Sequence, residues 1–170
     1  MIKRLLIKII AGFWLSGPRY RWSKIHRFFF ERKYKYVAMP QVKNLGDIAS
    51  VLRQVTWTQD SWNKLFDSVS YPGRVYQTKK DDCDGFAILA IELLKQLQVR
   101  GYMYTYVPEK WTKAHTICVF RYNGFVCTFN NFYLVRTDAT TFKRFREQYF
   151  REPCVVWDLR DEDFRRVKNI

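Results

Sequence analysis

Four cysteines and two histidines hold most of the reactive side-chain chemistry in this chain of 170 residues. Cys83 is set apart by its neighbours. It lies in Lys79-Lys80-Asp81-Asp82-Cys83-Asp84-Gly85-Phe86-Ala87, directly before the apolar run Ile88 to Leu97. Asp81 or Asp82 suits a helix N-cap, because a carboxylate accepts from the unpaired backbone N–H groups there. The run that follows is apolar almost all the way round, with Glu92, Lys95 and Gln96 on a narrow polar stripe, the pattern of a helix buried in a core. A thiol in the first turn of such a helix faces free N–H groups and the positive end of the helix dipole. Both favour thiolate over thiol and lower the pKa. The same N–H groups can stabilise an oxyanion formed by attack on a carbonyl. The alternative is a structural cysteine, and Asp-Asp-Cys-Asp is a poor setting in which to bury a small apolar side chain.

A thiol nucleophile needs a base. His26 lies in a basic, aromatic stretch with no strand or turn to aim it, whereas His115 begins His115-Thr116-Ile117-Cys118-Val119-Phe120-Arg121-Tyr122, a strand rich in β-branched and aromatic residues. Asn123-Gly124 follows, the dipeptide of a two-residue hairpin loop, and Phe125 to Phe132 reads as the return strand. Such a loop pairs Tyr122 with Phe125 and Arg121 with Val126. Alternation then sets His115, Ile117, Val119, Asn130 and Phe132 on one face. Thr116, Cys118, Phe120, Cys127, Phe129 and Asn131 take the other. Asn130 therefore falls diagonally across from His115, within reach to hold the imidazole, and Cys118 and Cys127 are packing residues. A slip of one residue would put Asn131 in its place.

Cysteine at a helix start, then histidine and an amide or carboxylate on adjacent strands, is the arrangement of papain-like and transglutaminase-like enzymes. Asp82-Cys83-Asp84-Gly85-Phe86-Ala87, His115-Thr116-Ile117-Cys118-Val119 and Val126-Cys127-Thr128-Phe129-Asn130-Asn131-Phe132 together resemble the bacterial transglutaminase-like cysteine proteinase family. The resemblance covers about residues 42 to 137. It implies an α+β fold with a papain-like or transglutaminase-like core, in which a central buried helix packs on an antiparallel sheet. It also implies a hydrolase, a thiol protease or amidase with Cys83, His115 and Asn130 as its triad. Transamidation is open to the same chemistry, and no residue separates the two. Asp82, Asp84 and Trp111 border the expected substrate cleft. The Cys83 N–H is a candidate for the oxyanion hole, and so is Gln77, since papain-like enzymes place a glutamine a similar distance upstream. The chain departs from the family pattern at three places. Asp81 stands for its leading glycine, Gly85 for a second acid, and Asn130 for its usual aspartate. An asparagine can orient an imidazole without supplying a full charge.

The formal net charge is +14, with 48% hydrophobic and 18% aromatic residues. This excludes general disorder and sets up a strong positive field. The charge gathers before residue 45 and after residue 136, outside the triad motifs. Residues 1–40 are expected to be a basic, aromatic N-terminal helix and arm, and residues 41–170 the peptidase domain. Met1 to Leu15 has apolar residues at helical spacing. From Pro18 to Pro40, basic residues alternate with tryptophan, tyrosine and phenylalanine. That mixture suits a polyanion (nucleic acid or an anionic membrane surface), a partner protein, or an arm packed on its own domain through its aromatics with its charges solvated. The cysteines show no paired metal-ligand spacing, and no glycine-rich phosphate loop is present, so neither a metal nor a cofactor is expected. Unpaired cysteine use fits a reducing compartment, and a cytoplasmic or virion-associated setting is favoured over secretion. A second reading is a weak or inactive member of the fold serving as a structural or interaction protein, for example of a phage particle.

Around the motifs, Asn44 to Val55 reads as a helix and Thr56 to Tyr71 as a further helical pair, with Trp57, Trp62, Leu65, Phe66 and Val69 inward and Asp60 as a cap. Tyr71-Pro72-Gly73 reads as a turn, Tyr102 to Val107 as a strand, and Phe132 to Arg136 as a further strand. Thr140 to Phe150 reads as a basic helix, Cys154 to Leu159 as a last strand, and Asp161 to Lys168 as a short helix.

Overall fold

The computed structural model describes residues 2–58, 68–150 and 153–170. Two helices open the chain, α1 (Ile2–Ser16) and α2 (Pro18–Phe30), with Gly17 between them and Pro18 in the first turn of α2, where its missing N–H costs nothing. α3 (Leu45–Leu52) is capped by Asn44, whose side chain accepts from the Asp47 N–H. The two-residue strand β1 (Thr56–Trp57) then pairs in parallel with β2 (Lys80–Asp81), and α4 (Pro72–Thr78) lies between them. α5 (Cys83–Gln96) follows directly on β2.

The main sheet holds β3 (Gly101–Pro108), β4 (His115–Tyr122), β5 (Phe125–Asn130), β6 (Tyr133–Arg136) and, after helix α6 (Phe142–Tyr149), β7 (Cys154–Arg160). Its order is β6-β5-β4-β3-β7 and every pairing is antiparallel. This is an α+β fold with a central buried helix on an antiparallel sheet, as expected. Ten residues of α5 are buried, from Asp84 to Leu94. Its apolar surface packs on Met103, Cys118, Phe120, Cys127 and Phe129, one face of the sheet. The opposite face carries Tyr104, Ile117, Val119 and Leu159 and is covered by Phe142 and Phe145 of α6. The hairpin register is the expected one, with Tyr122 opposite Phe125 and Phe120 opposite Cys127. Asn123 and Gly124 both take positive φ, as a two-residue loop requires. Asn131 is also left-handed (φ 52°), which ends β5 at Asn130, two residues short of the expected Phe132.

Several expectations are corrected. Residues 18–30 form a regular helix whose buried face combines Tyr20 with two arginines, so its charges are only partly solvated and most of its aromatics face out. Arg19 and Arg27 are buried, while Trp22, Phe28, Phe29 and Phe30 are exposed. Buried polar partners decide this: Arg27 Nε and Nη2 donate to the carbonyls of Val69 (2.8 Å) and Ser70 (2.5 Å), and Ser23 Oγ accepts the Val69 N–H. Helix α2 thus satisfies, with side chains, a stretch of backbone that has no strand partner. Thr56 and Trp57 are strand, and Trp57 is 47% exposed, because pairing with β2 outweighs the helical period there. Val69 is fully buried as expected, while Asp60, Trp62, Leu65 and Phe66 lie outside the described residues. Tyr71-Pro72-Gly73 begins α4 instead of a turn, with Pro72 in its first turn. After β7 there is no helix: Asp161 Oδ1 accepts from the N–H groups of Asp163 and Arg165, Phe164 is left-handed, and Arg166 bridges back to Arg160.

Candidate active site

Asp82 is the N-cap of α5. Its carboxylate accepts the Asp84 N–H at 3.0 Å, and its own N–H donates to Asp81 Oδ1 at 2.9 Å. The Cys83 N–H lies between these two, in the first turn. Asp84 is buried and paired with Arg19 of α2, Nη2 to Oδ2 2.5 Å. Asp81 faces Arg74 of α4 at 3.5 Å. The carboxylates of Asp81, Asp82 and Asp84 lie within 4.8 Å of one another, which is close enough to share a divalent cation. The chain supplies compensating guanidinium groups of its own at two of the three.

Cys83 is half-buried, and the Thr116 backbone N–H is near enough to its sulfur to favour the thiolate. The thiol therefore sits against the start of β4, one residue from His115. The expected lowering of its pKa is reversed. Burial pushes the thiol up, the charges of Asp82 and Asp84 add to this, and the Thr116 N–H and Arg19 offset only part of it. A helix N-terminus favours thiolate, but two carboxylates in the same turn cancel that advantage. Burial and Asp82 likewise raise the Asp84 carboxyl, with Arg19 opposing.

His115 and Asn130 are brought together, His115 Nε2 to Asn130 Oδ1 2.8 Å. Asn130 Nδ2 in turn donates to the Tyr149 hydroxyl at 2.9 Å. That second bond engages the amide nitrogen and leaves the amide oxygen for the imidazole. Tyr106 stands edge-on to the imidazole at 5.9 Å between ring centroids and is itself packed on Phe150. Tyr149 at the end of α6 has no motif around it, and no sequence spacing ties it to Asn130. Only the packing of α6 on the sheet puts it there.

The remaining candidates are spread out. Gln77 is exposed in the last turn of α4. Trp111 opens a short 3-10 turn, Trp111–Lys113, and its side chain is outside those described. Cys118 and Cys127 are buried on the α5 face of the sheet, where packing residues were expected. Alternation along β4 turns Thr116 towards α5, and its hydroxyl meets that of Thr105 at 3.0 Å. His115 turns to the other face. It is the first residue of its strand, and its ring lies against Tyr106 and Asn130 at that end of the sheet.

No family model matches the chain, and no curated protein matches it at a significant level. Among solved structures, LapG of Legionella pneumophila is similar, at 15% identity and a TM-score of 0.45. The matched region covers 56% of this chain and 60% of LapG, so the chain spans less than two thirds of that protein. The likeness is a distant one of chain path and bears on no residue's role.

Proposed function

We propose that this chain is a cysteine-dependent hydrolase acting on an amide or peptide bond, with Cys83 as nucleophile, His115 as general base and acid, and Asn130 as the group that orients His115. The observation that carries the reading is the His115–Asn130 hydrogen bond, at the start of a strand whose Thr116 N–H favours the Cys83 thiolate. In this reading Nδ1 of His115 reaches Cys83 around the end of β4 and takes the thiol proton as sulfur attacks the substrate carbonyl. A thioester forms, the amine leaves with the proton from the imidazolium, and water, deprotonated by His115, cleaves the thioester and restores the thiol. The Cys83 N–H points to the carbonyl oxygen as one donor of an oxyanion hole. The exposed Gln77 has no part in this scheme. A thiol held neutral by burial fits a base that acts during attack, in place of a thiolate standing ready beforehand. The family of transglutaminase-like cysteine proteinases, which the three motifs resemble, supplies the same division of roles.

Alkylation by iodoacetamide, read peptide by peptide in a mass spectrometer, tests this. Cys83 is expected to react at least about tenfold faster than the sealed Cys118 and Cys127, and His115→Gln is expected to remove most of that advantage while leaving Cys154 unchanged. A Cys83 rate indifferent to His115→Gln would sink the triad. It would favour the second reading, in which the same α5 tip serves only as structure.

A further inference from the structure

We infer that the outer faces of α1 and α2 dock this protein on an anionic phospholipid bilayer, with both helices lying in the headgroup region. α1 is apolar on two opposite sides. Ile7, Ala11 and Leu15 pack inward on Val107 and Val156. Leu5, Leu6, Ile9, Ile10 and Phe13 form the opposite stripe, at helical spacing, and every one is more than half exposed, Phe13 at 69%. A surface helix needs only one apolar side to hold it on its domain. The second side of α1 is therefore left in water, and Trp22, Ile25, Phe28 and Phe29 of α2 are exposed as well.

Charge selects the occupant. Residues 2–30 contain seven Lys and Arg and no Asp or Glu. The first acid after them, Glu31, is buried and accepts the Tyr71 N–H. Lys3, Lys8, Arg21 and Lys24 are exposed beside the apolar residues, placed to reach lipid phosphates while their stems follow the hydrocarbon. A polynucleotide would be served by the aromatic rings of α2, but the leucine and isoleucine stripe of α1 offers a base nothing to stack on. A protein partner gives no reason for the absence of acids. Depth is bounded as well. No helix among the described residues is long and apolar enough to cross a membrane. The 15 residues of α1 reach about 22 Å, against roughly 30 Å of hydrocarbon. A helix with one face in lipid and one on its own domain lies in the interface.

Co-sedimentation of the full chain with vesicles of phosphatidylcholine plus phosphatidylglycerol, against phosphatidylcholine alone, tests the inference. Binding is expected to the anionic vesicles, at least about tenfold tighter than to the neutral ones, and to weaken as salt is raised. The double variants Ile10→Ser/Phe13→Ser and Trp22→Ser/Phe29→Ser change only exposed positions. Each should keep the parent's thermal unfolding and lose about tenfold or more in vesicle binding. Quenching of tryptophan fluorescence by bromine-labelled lipid should fall in Trp22→Phe. Absence of vesicle binding, or binding unchanged in both double variants, overturns the inference. So does self-association, seen by sedimentation velocity and removed by these variants without any vesicle binding, since the occupant is then a second copy. Capture of a single-stranded oligonucleotide lost in the same variants, again without vesicle binding, overturns it too. None of these outcomes depends on Cys83 chemistry.

Discussion

Asp81 and Gly85 share one small volume. A Cβ placed on Gly85 would lie 2.3 Å from Cγ and from Oδ1 of Asp81, far inside contact distance. The Asp81 carboxylate fills the space that a side chain at position 85 would need, so these two positions are coupled by volume. Asp81 also accepts the Asp82 N–H and faces Arg74, which holds it in place. Gly85→Ala is expected to destabilise the protein by about 1–3 kcal/mol through overpacking. Asp81→Gly/Gly85→Ala should recover most of the overpacking, so that urea unfolding of the two single variants and the double gives a clear coupling energy. Additive effects would mean that the two positions do not compete for space. At the same scale, the Asn130 amide bridges two side chains, its nitrogen on the Tyr149 hydroxyl and its oxygen on the His115 imidazole.

At the scale of elements, α2 is the piece whose role changed most between composition and coordinates. Its inward face gives Arg19 to Asp84, Tyr20 to the core and to Asp158 (2.9 Å), and Arg27 to the backbone at Val69 and Ser70. The end of α1 is held as well, its last carbonyls at Leu15 and Ser16 accepting from Arg160 at 2.7 and 3.2 Å. A cation at a helix C-terminus is favourable for the dipole as well as for the hydrogen bonds. Removing α2 leaves buried Asp84 and the Val69–Ser70 backbone without these partners, against a total stability of only about 5–15 kcal/mol for a domain of this kind. A chain beginning at residue 41 is therefore expected to lose cooperative unfolding by circular dichroism. If it melts in one sharp transition like the parent, the first two helices are an appendage after all.

For the whole molecule, buried acids around the α5 tip set the pH dependence of stability. Burial first, and then the neighbouring Asp82, raise the Asp81 carboxyl from the ordinary 3.8 to about 7. In the unfolded chain this group ionises near pH 4, whereas in the fold it keeps its proton to near neutrality. Between those values the folded state binds more protons, so stability falls as pH rises from about 4 to about 7 and then levels off. The full shift corresponds to at most about 4 kcal/mol. Asp84 is raised in the same direction. Urea midpoints measured at pH 5 and pH 7.5 should therefore differ in favour of pH 5, and Asp81→Asn should flatten the difference. A parent protein more stable at pH 7.5 than at pH 5 would show that other carboxylates, held ionised by arginines, dominate.

Local chemistry was legible in the order of residues. The Asn123-Gly124 loop set the hairpin register, alternation then put Asn130 rather than Asn131 across from His115, and the apolar run after an aspartate cap marked α5 as the buried helix. Each of these depends on groups only a few residues apart, whose geometry the backbone itself restricts. Folding in three dimensions settled the rest: that Arg19 and Arg27 turn inward beside Tyr20 while the other aromatics of α2 face out, that Trp57 joins a strand, that Tyr149 steadies the amide of Asn130, and that burial raises the Cys83 thiol. Those outcomes are sums over partners brought from distant parts of the chain. The protonation of Cys83, for example, follows from desolvation, two carboxylates, one strand N–H and a guanidinium on another helix, and no spacing within its own motif encodes that balance.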